Sequence, residues 1–152
     1  MCDKGGFMAQ LTAPLSVPRL DHAGVEAARL RLEARNQLAA NEPSVTYELL
    51  AQARGGTEMA ARQWVSRQRK GGHLITVDHG QTLIPSFQFD HNYQLVLEVC
   101  EAVKVLTRAG MSGWAIWRWF CTTSPWVGQR PVDLIGTTQL LDLVHTFVAD
   151  SR

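Results

Sequence analysis

Three observations predict a mainly α fold: helical spacing of apolar residues over most of the chain, two short helices broken by paired glycines with a hairpin signal after them, and an aromatic helix near the C-terminus. In full, the expectation is N-terminal helix-turn-helix-like helices with a short β-hairpin, followed by a C-terminal helical bundle. The length of 152 residues suits one domain or two small ones, and a hydrophobic fraction of 45% is ordinary for a globular protein. The expected divisions are a loose tail over 1–20, a helix-turn-helix-like DNA-binding region over 21–90, and a helical domain over 91–152.

Residues 1–20 show no usable period, and Pro14 and Pro18 oppose a helix; either Met1 or Met8 would serve as a start. Asp21 suits the N-cap of a helix through about Ala40, rich in Ala, Leu, Arg and Glu, whose weak apolar pattern predicts packing on one side only. Asn41, Glu42 and Pro43 end it. Ser44 is expected to cap a short helix over 45–54, with Val45, Leu49 and Leu50 at helical spacing. Gly55 and Gly56 break that helix, and Thr57 caps the next, which runs to Lys70. Gly71 and Gly72 close it. Residues 73–77 and 81–84 are short β-rich runs around Asp78, His79 and Gly80, a hairpin turn in the position of a wing. Phe87 and Phe89 then alternate so that both can point inward.

Residues 94–108 predict a helix in which Leu95, Val99, Ala102, Val103 and Leu106 share a face opposite Glu98, Glu101, Lys104 and Arg108, with Gly110 as its stop. Ser112 caps the aromatic helix. On it Trp114, Ile116, Trp117, Trp119, Phe120 and Cys121 fan over roughly 200°, wider than the stripe of about 100° that a surface helix buries. Two readings stand: the helix serves two packing partners, its own core and another chain, or it lies centrally within its own domain. A loop over 122–130 follows, and the last helix, 138–149, carries Leu140, Leu141, Leu143, Val144, Phe147 and Val148 on one stripe.

A net charge of +1 does not by itself suggest nucleic-acid binding, but its distribution does. Arg54, Arg62, Arg67, Arg69 and Lys70 face the single acid Glu58 within 54–70. In a helix-turn-helix the second helix enters the major groove, and one side of 57–70 offers Arg62, Gln63, Ser66, Arg69 and Lys70 with Arg67 at its edge. Arg and Lys suit phosphate or guanine, and Gln suits adenine. Operator DNA is therefore an expected partner, set against the plainer reading of a solvated helix face. Operator binding and the aromatic surplus also predict oligomerisation.

The search for catalytic chemistry is negative. His22, His73, His79, His91 and His145 form no HExxH, the cysteines form no CxxC, and there is no phosphate-cradling glycine loop and no GxSxG. No enzyme activity, no metal and no cofactor are expected. The neighbouring pairs Asp78/His79 and Asp90/His91 suit turns better than relays, and Cys121 suits a small buried hydrophobe. Cys2, Cys100 and Cys121, odd in number and far apart, fit a reducing compartment; with no signal-like N-terminus and no apolar run near about 18 residues, a cytoplasmic protein without membrane partners is expected.

The segment GQTLIPSFQFD at 80–90, the tryptophan helix 114–120 and SPWVGQRPVDLI at 124–135 resemble the antitoxin family called Xre, MbcA or ParS, partners of RES-domain toxins. The resemblance covers about 74–150; the turn Gly128, Gln129, Arg130, Pro131 matches the family's Gly-x-x-Pro, one residue shorter than the common form, with Trp126 and Val127 where a leucine is usual. It implies a type II antitoxin, not an enzyme, that occludes the active site of an NAD-consuming RES toxin and represses its own operon. It implies a toxin-binding role for 91–152, carried by Trp117, Trp126, Val127, Gly128, Gln129, Arg130 and Pro131, as a homodimer or a toxin–antitoxin hetero-oligomer. The aromatic and arginine content of this loop is that of an interface centre. The rival expectation is a stand-alone helix-turn-helix regulator whose C-terminal domain dimerises.

Overall fold

Asp21 opens the first helix of the computed structural model, which describes residues 21–151, by accepting a hydrogen bond from the Gly24 amide at 2.6 Å through Oδ1. The expected loose tail over 1–20 lies outside the described residues. The chain divides into two units, Met1–Asn36 and Gln37–Arg152. The described part of the first is helical and exposed, with Arg29 bridging Glu26 and Glu33 along its surface. This helix, α1 (His22–Asn41), ends in the second unit. There Leu38 and Ala39 are half-buried against the core, and no α1 residue is fully buried.

The second unit is mainly α, with a small three-stranded antiparallel sheet. Ser44 and Val45 are strand β1 rather than the start of a helix; the cap falls two residues later, where Thr46 Oγ1 accepts from the Leu49 amide at 3.2 Å. Helix α2 (Tyr47–Arg54) follows, ending on Gly55 at φ 79°, a left-handed conformation that favours glycine. Thr57 caps α3 (Glu58–Lys70), accepting from the Ala60 amide at 3.0 Å. Strands β2 (Val77–Asp78) and β3 (Thr82–Pro85) form the hairpin, and β1 adds to the other edge of β3 in the order β1-β3-β2. The element order is therefore helix, tight turn, helix, hairpin, as in a winged helix-turn-helix.

The sheet lies between two hydrophobic cores. Val45, Leu50, Ala51, Ala61, Val65, Leu74 and Ile84 fill one, whereas Ile75, Val77 and Leu83 face the other, because neighbouring strand residues point to opposite sides. Phe87 and Phe89 also divide between the two cores, contrary to the alternation expected of them: two residues apart they would share one side of a strand, but Phe87 lies in a 3-10 turn, Ser86–Gln88, that breaks the period. Phe87 meets Phe120 at 4.4 Å between ring centres, and Phe89 meets Trp64 at 6.3 Å and Tyr93 at 5.9 Å.

Gln88 between them is buried at 1% exposure. Its Oε1 accepts from the Ile75 amide at 2.7 Å, and its Nε2 donates to the carbonyls of Ile75 at 3.0 Å and Pro85 at 3.1 Å. This side chain ties the segment after α3 to the end of β3.

The bundle consists of α4 (Leu97–Arg108), α5 (Gly113–Cys121) and α6 (Gln139–Asp150), with a 3-10 turn at Pro131–Leu134. Helix α4 starts three residues later than its period suggests, because Leu95 forms a β-bridge with Phe89. The intervening turn is held by Asp90, whose Oδ1 accepts from the amides of Asn92 at 2.8 Å and Gln94 at 3.0 Å. Ser112 caps α5 as expected, accepting from the Ala115 amide at 3.2 Å. Ile116, Trp117 and Phe120 are wholly buried, and Trp114, Trp119 and Cys121 are half-buried against the same core. The aromatic fan is thus mostly spent inside its own domain.

Candidate functional site

Two surfaces collect the residues singled out by the sequence. The first is the outer face of α3. Ala61 and Val65 anchor the helix in the core, and Arg62, Gln63, Ser66, Arg67, Arg69 and Lys70 are all exposed. The side chains differ in how they are held. The Arg62 guanidinium lies 4.5 Å over the Tyr47 ring and reaches Glu58 Oε2 at 3.4 Å. Arg69 donates to Thr76 Oγ1 at 3.1 Å, and Arg67 and Lys70 make no ion pair among the described residues.

Arg54, expected in the DNA-binding set, is exposed but is held by contacts of its own. Its guanidinium stacks 4.1 Å over Trp64 and donates to the Tyr93 carbonyl at 2.7 Å. Trp64 lies on the core side of α3, so Arg54 is a latch joining α2, α3 and the turn at 90–94. Tyr93 has a φ of 57°, uncommon for a residue with a side chain, and the bond to its carbonyl helps to hold that turn.

Met59, missed in the sequence, stands among the polar residues with 68% of its surface exposed. The helical wheel carried the signal, since Met59 falls between Ser66 and Lys70. The hairpin adds no cation to this face. Its exposed edge carries Asp78, and His79 folds back to meet Trp114 edge-on at 5.7 Å. Thr46, Tyr47, Glu48, Glu58, Arg62, Asp78, Gln81 and Thr82 line a cleft of about 270 Å³ between the hairpin and the start of α3.

The second surface is the loop after α5. Ser124 is buried and organises it: its amide donates to the Gln129 carbonyl at 2.9 Å, its carbonyl accepts from the Gly128 amide at 2.8 Å, and its Oγ accepts from the Trp126 amide at 3.2 Å. Gly128 turns the chain at φ 71°, and Gln129 is exposed beside it. At the tip Trp126 is 47% and Val127 39% exposed, and the Trp126 ring rests edge-on against Phe147 at 6.3 Å. An apolar tip is therefore held up by hydrogen bonds that a partner need not supply.

Two expected members of this surface are not on it. Trp117 is 0% exposed and stacks on Trp114 at 5.7 Å, so it belongs to the core, where its helical phase beside Ile116 and Phe120 places it. Pro131 is also buried and starts the 3-10 turn. Arg130 is half-buried and already paired, with Asp133 at 3.4 Å and Glu42 at 3.3 Å. These two residues hold its charged form, pushing its pKa up, with Asp133 contributing most.

Arg130, Glu42, Cys121 and Asp133 share a cleft of about 300 Å³ with Pro43, Phe87 and Trp117. Burial, aided by the nearby Glu42 carboxylate, pushes the Cys121 thiol up to about 12. That is the opposite of what an activated nucleophile needs. Among the described residues no group of three or more His, Cys, Asp or Glu could hold a metal ion, and no helix is long and apolar enough to cross a membrane.

No protein-family model matches the chain, and no curated protein matches it. The fold is similar to a solved structure described as the NMR structure of Rv2175c, with 23% sequence identity and a TM-score of 0.59 over 74% of this chain and 83% of that one. At that identity the likeness is one of fold.

Proposed function

We propose that the chain is an antitoxin that binds and occludes a RES-domain, NAD-consuming toxin through its C-terminal bundle, and binds operator DNA through α3 to regulate its own expression. The observation that carries the first half is the pre-built loop: Trp126 and Val127 are half-exposed on a scaffold fixed by Ser124. Apolar anchors that need no ordering on binding are favourable centres for an interface. The resemblance of 80–90, 114–120 and 124–135 to the Xre/MbcA/ParS family supports a RES-domain toxin as that partner. The exposed cations on α3, behind a tight turn and ahead of a hairpin, support the second half.

The test is co-expression with the product of the neighbouring gene, followed by an NAD-consumption assay with and without this chain. Stable association that suppresses NAD loss supports the proposal, and Trp126→Ala is expected to release the toxin while the protein stays folded. Absence of any complex overturns the antitoxin reading.

A second reading is a stand-alone regulator that acts as a homodimer; the exposed cations of α3 support it equally, whereas the mostly internal aromatics of α5 favour neither a toxin nor a second copy as partner. It predicts operator binding by a dimer with no effect on NAD.

A further inference from the structure

We propose that Arg62 is the base-reading residue of α3, recognising guanine, while Arg67, Arg69 and Lys70 at the other end hold phosphates; this rests on the DNA-binding reading above. Charge orients the helix first. Its last turn carries Arg67, Arg69 and Lys70, and its first turn carries Glu58. Glu48 and Asp78 join Glu58 around the cleft at the start of α3. Three carboxylates there repel a phosphate backbone, whereas the last turn attracts one. The start of α3 is therefore the end suited to base edges, which carry no net charge, and it is the end that a helix-turn-helix presents to them.

Among the cations of α3, Arg62 alone stands in its first half, and two contacts bias its conformation. The Tyr47 ring supports the guanidinium from one side at 4.5 Å, and Glu58 holds one terminal nitrogen at 3.4 Å. Both members of the ion pair are exposed, at 58% and 50% of their side chains, so the pair contributes little to folding. Its effect is to restrict a long side chain before binding. A planar fork biased in this way loses less freedom on meeting the N7 and O6 acceptors of guanine in the major groove. Arg67 and Lys70 have no such support, which suits contacts that need charge but not direction.

The experiment selects sites for the full chain from a duplex library with a randomised centre, then measures affinities for the selected duplex, its single-pair variants and random duplex at several salt concentrations. The expected wild-type result is a G·C pair whose replacement weakens binding about ten- to a hundredfold. Arg62→Lys, which keeps the charge, should collapse that discrimination to about threefold or less, and Glu58→Gln should reduce it partly by removing the brace. Lys70→Ala should weaken all duplexes alike and lower the salt slope by about 0.9.

A G·C preference that survives in Arg62→Lys, or that disappears in Lys70→Ala instead, overturns the division of roles while leaving DNA binding intact. A wild-type chain with no salt-dependent affinity for any duplex overturns the DNA-binding reading and this inference with it.

Discussion

Replacing Gln88 by Ala should be among the most damaging changes in the chain. The side chain is 1% exposed and exchanges a pair of hydrogen bonds with the backbone of Ile75, at 2.7 and 3.0 Å, besides donating to the Pro85 carbonyl at 3.1 Å. Truncation leaves the Ile75 amide and carbonyl buried without these bonds, at about 1–3 kcal/mol each, and adds a cavity. A loss of roughly 3–6 kcal/mol results, a large share of the 5–15 kcal/mol typical of a domain. With a urea dependence of about 2 kcal/mol per molar, the unfolding midpoint should fall by roughly 1.5–3 M.

Gln88→Glu sharpens the test. The ionised carboxylate can accept from the Ile75 amide but cannot donate to the two carbonyls, so the fold favours the protonated form and raises the carboxyl pKa above its unfolded value. Its contribution is then fully present below the unfolded pKa of about 4.3 and lost as pH rises through the folded one. The variant should approach wild-type stability in acid and fall away toward neutrality. A Gln88→Ala protein within about 1 kcal/mol of wild type, or a Gln88→Glu protein with no such pH trend, would refute the role assigned to this side chain.

Gly113→Ala should cost about 1–3 kcal/mol in thermal unfolding, because its new Cβ would stand 2.5 Å from the Thr76 carbonyl oxygen, a backbone atom that cannot swing away. Cys121, neutral in the fold up to a pKa of about 12 but titrating near 9.0 when unfolded, adds stability that is present below pH 9 and lost as pH rises from 9 toward 12. Cys121→Ala should flatten that alkaline decline, measured by urea titration between pH 8 and 10.5; an equally steep decline would mean that another group causes it. Arg54→Ala should destabilise the fold by about 1–2 kcal/mol while leaving the salt slope of DNA binding unchanged, since Trp64 and Tyr93 hold the guanidinium toward the core side of α3. A slope that falls by nearly one would return Arg54 to the DNA face.

The parts of the fold legible in the sequence are those fixed within a few residues. Asp21, Thr57 and Ser112 could be read as helix caps because each bonds an amide three positions ahead. The two-residue strand at Ser44 was not, since an alternation of two residues is no pattern, and its partner Pro85 lies far along the chain. Leu95 fits the helical period but is held in a bridge to Phe89, which moved the start of α4. Gln88 gave no signal at all: a lone polar residue between two phenylalanines reads as a surface position, and its burial follows from packing between two cores. The arginines show the same division. Their number near α3 was visible, but the partners that distinguish Arg54 from Arg62 come from other segments, Tyr93 for one and Tyr47 for the other.

The fate of the tryptophans narrows where a protein partner can bind. The width of the aromatic fan on α5 admitted either a second partner or a central helix, and periodicity could not separate them. Burial does: Trp117 is enclosed, and Trp119 packs on Phe120 at 5.0 Å and Phe147 at 5.6 Å. Among the described residues of the bundle, the exposed large apolar side chains are Leu97, at the start of α4, and Trp126 and Val127, beyond α5. Trp126 stands next to Phe147, so a partner seated on the loop would extend the row Phe120, Trp119, Phe147, Trp126 outward from the core. A partner bound there would rest on a continuous row of edge-on and tilted ring contacts that leads back to the core. Trp126→Ala shortens that row by its last member only, so it should weaken partner binding far more than folding; a thermal transition that falls by more than about 10 °C would make Trp126 a core residue and remove the loop as an interface.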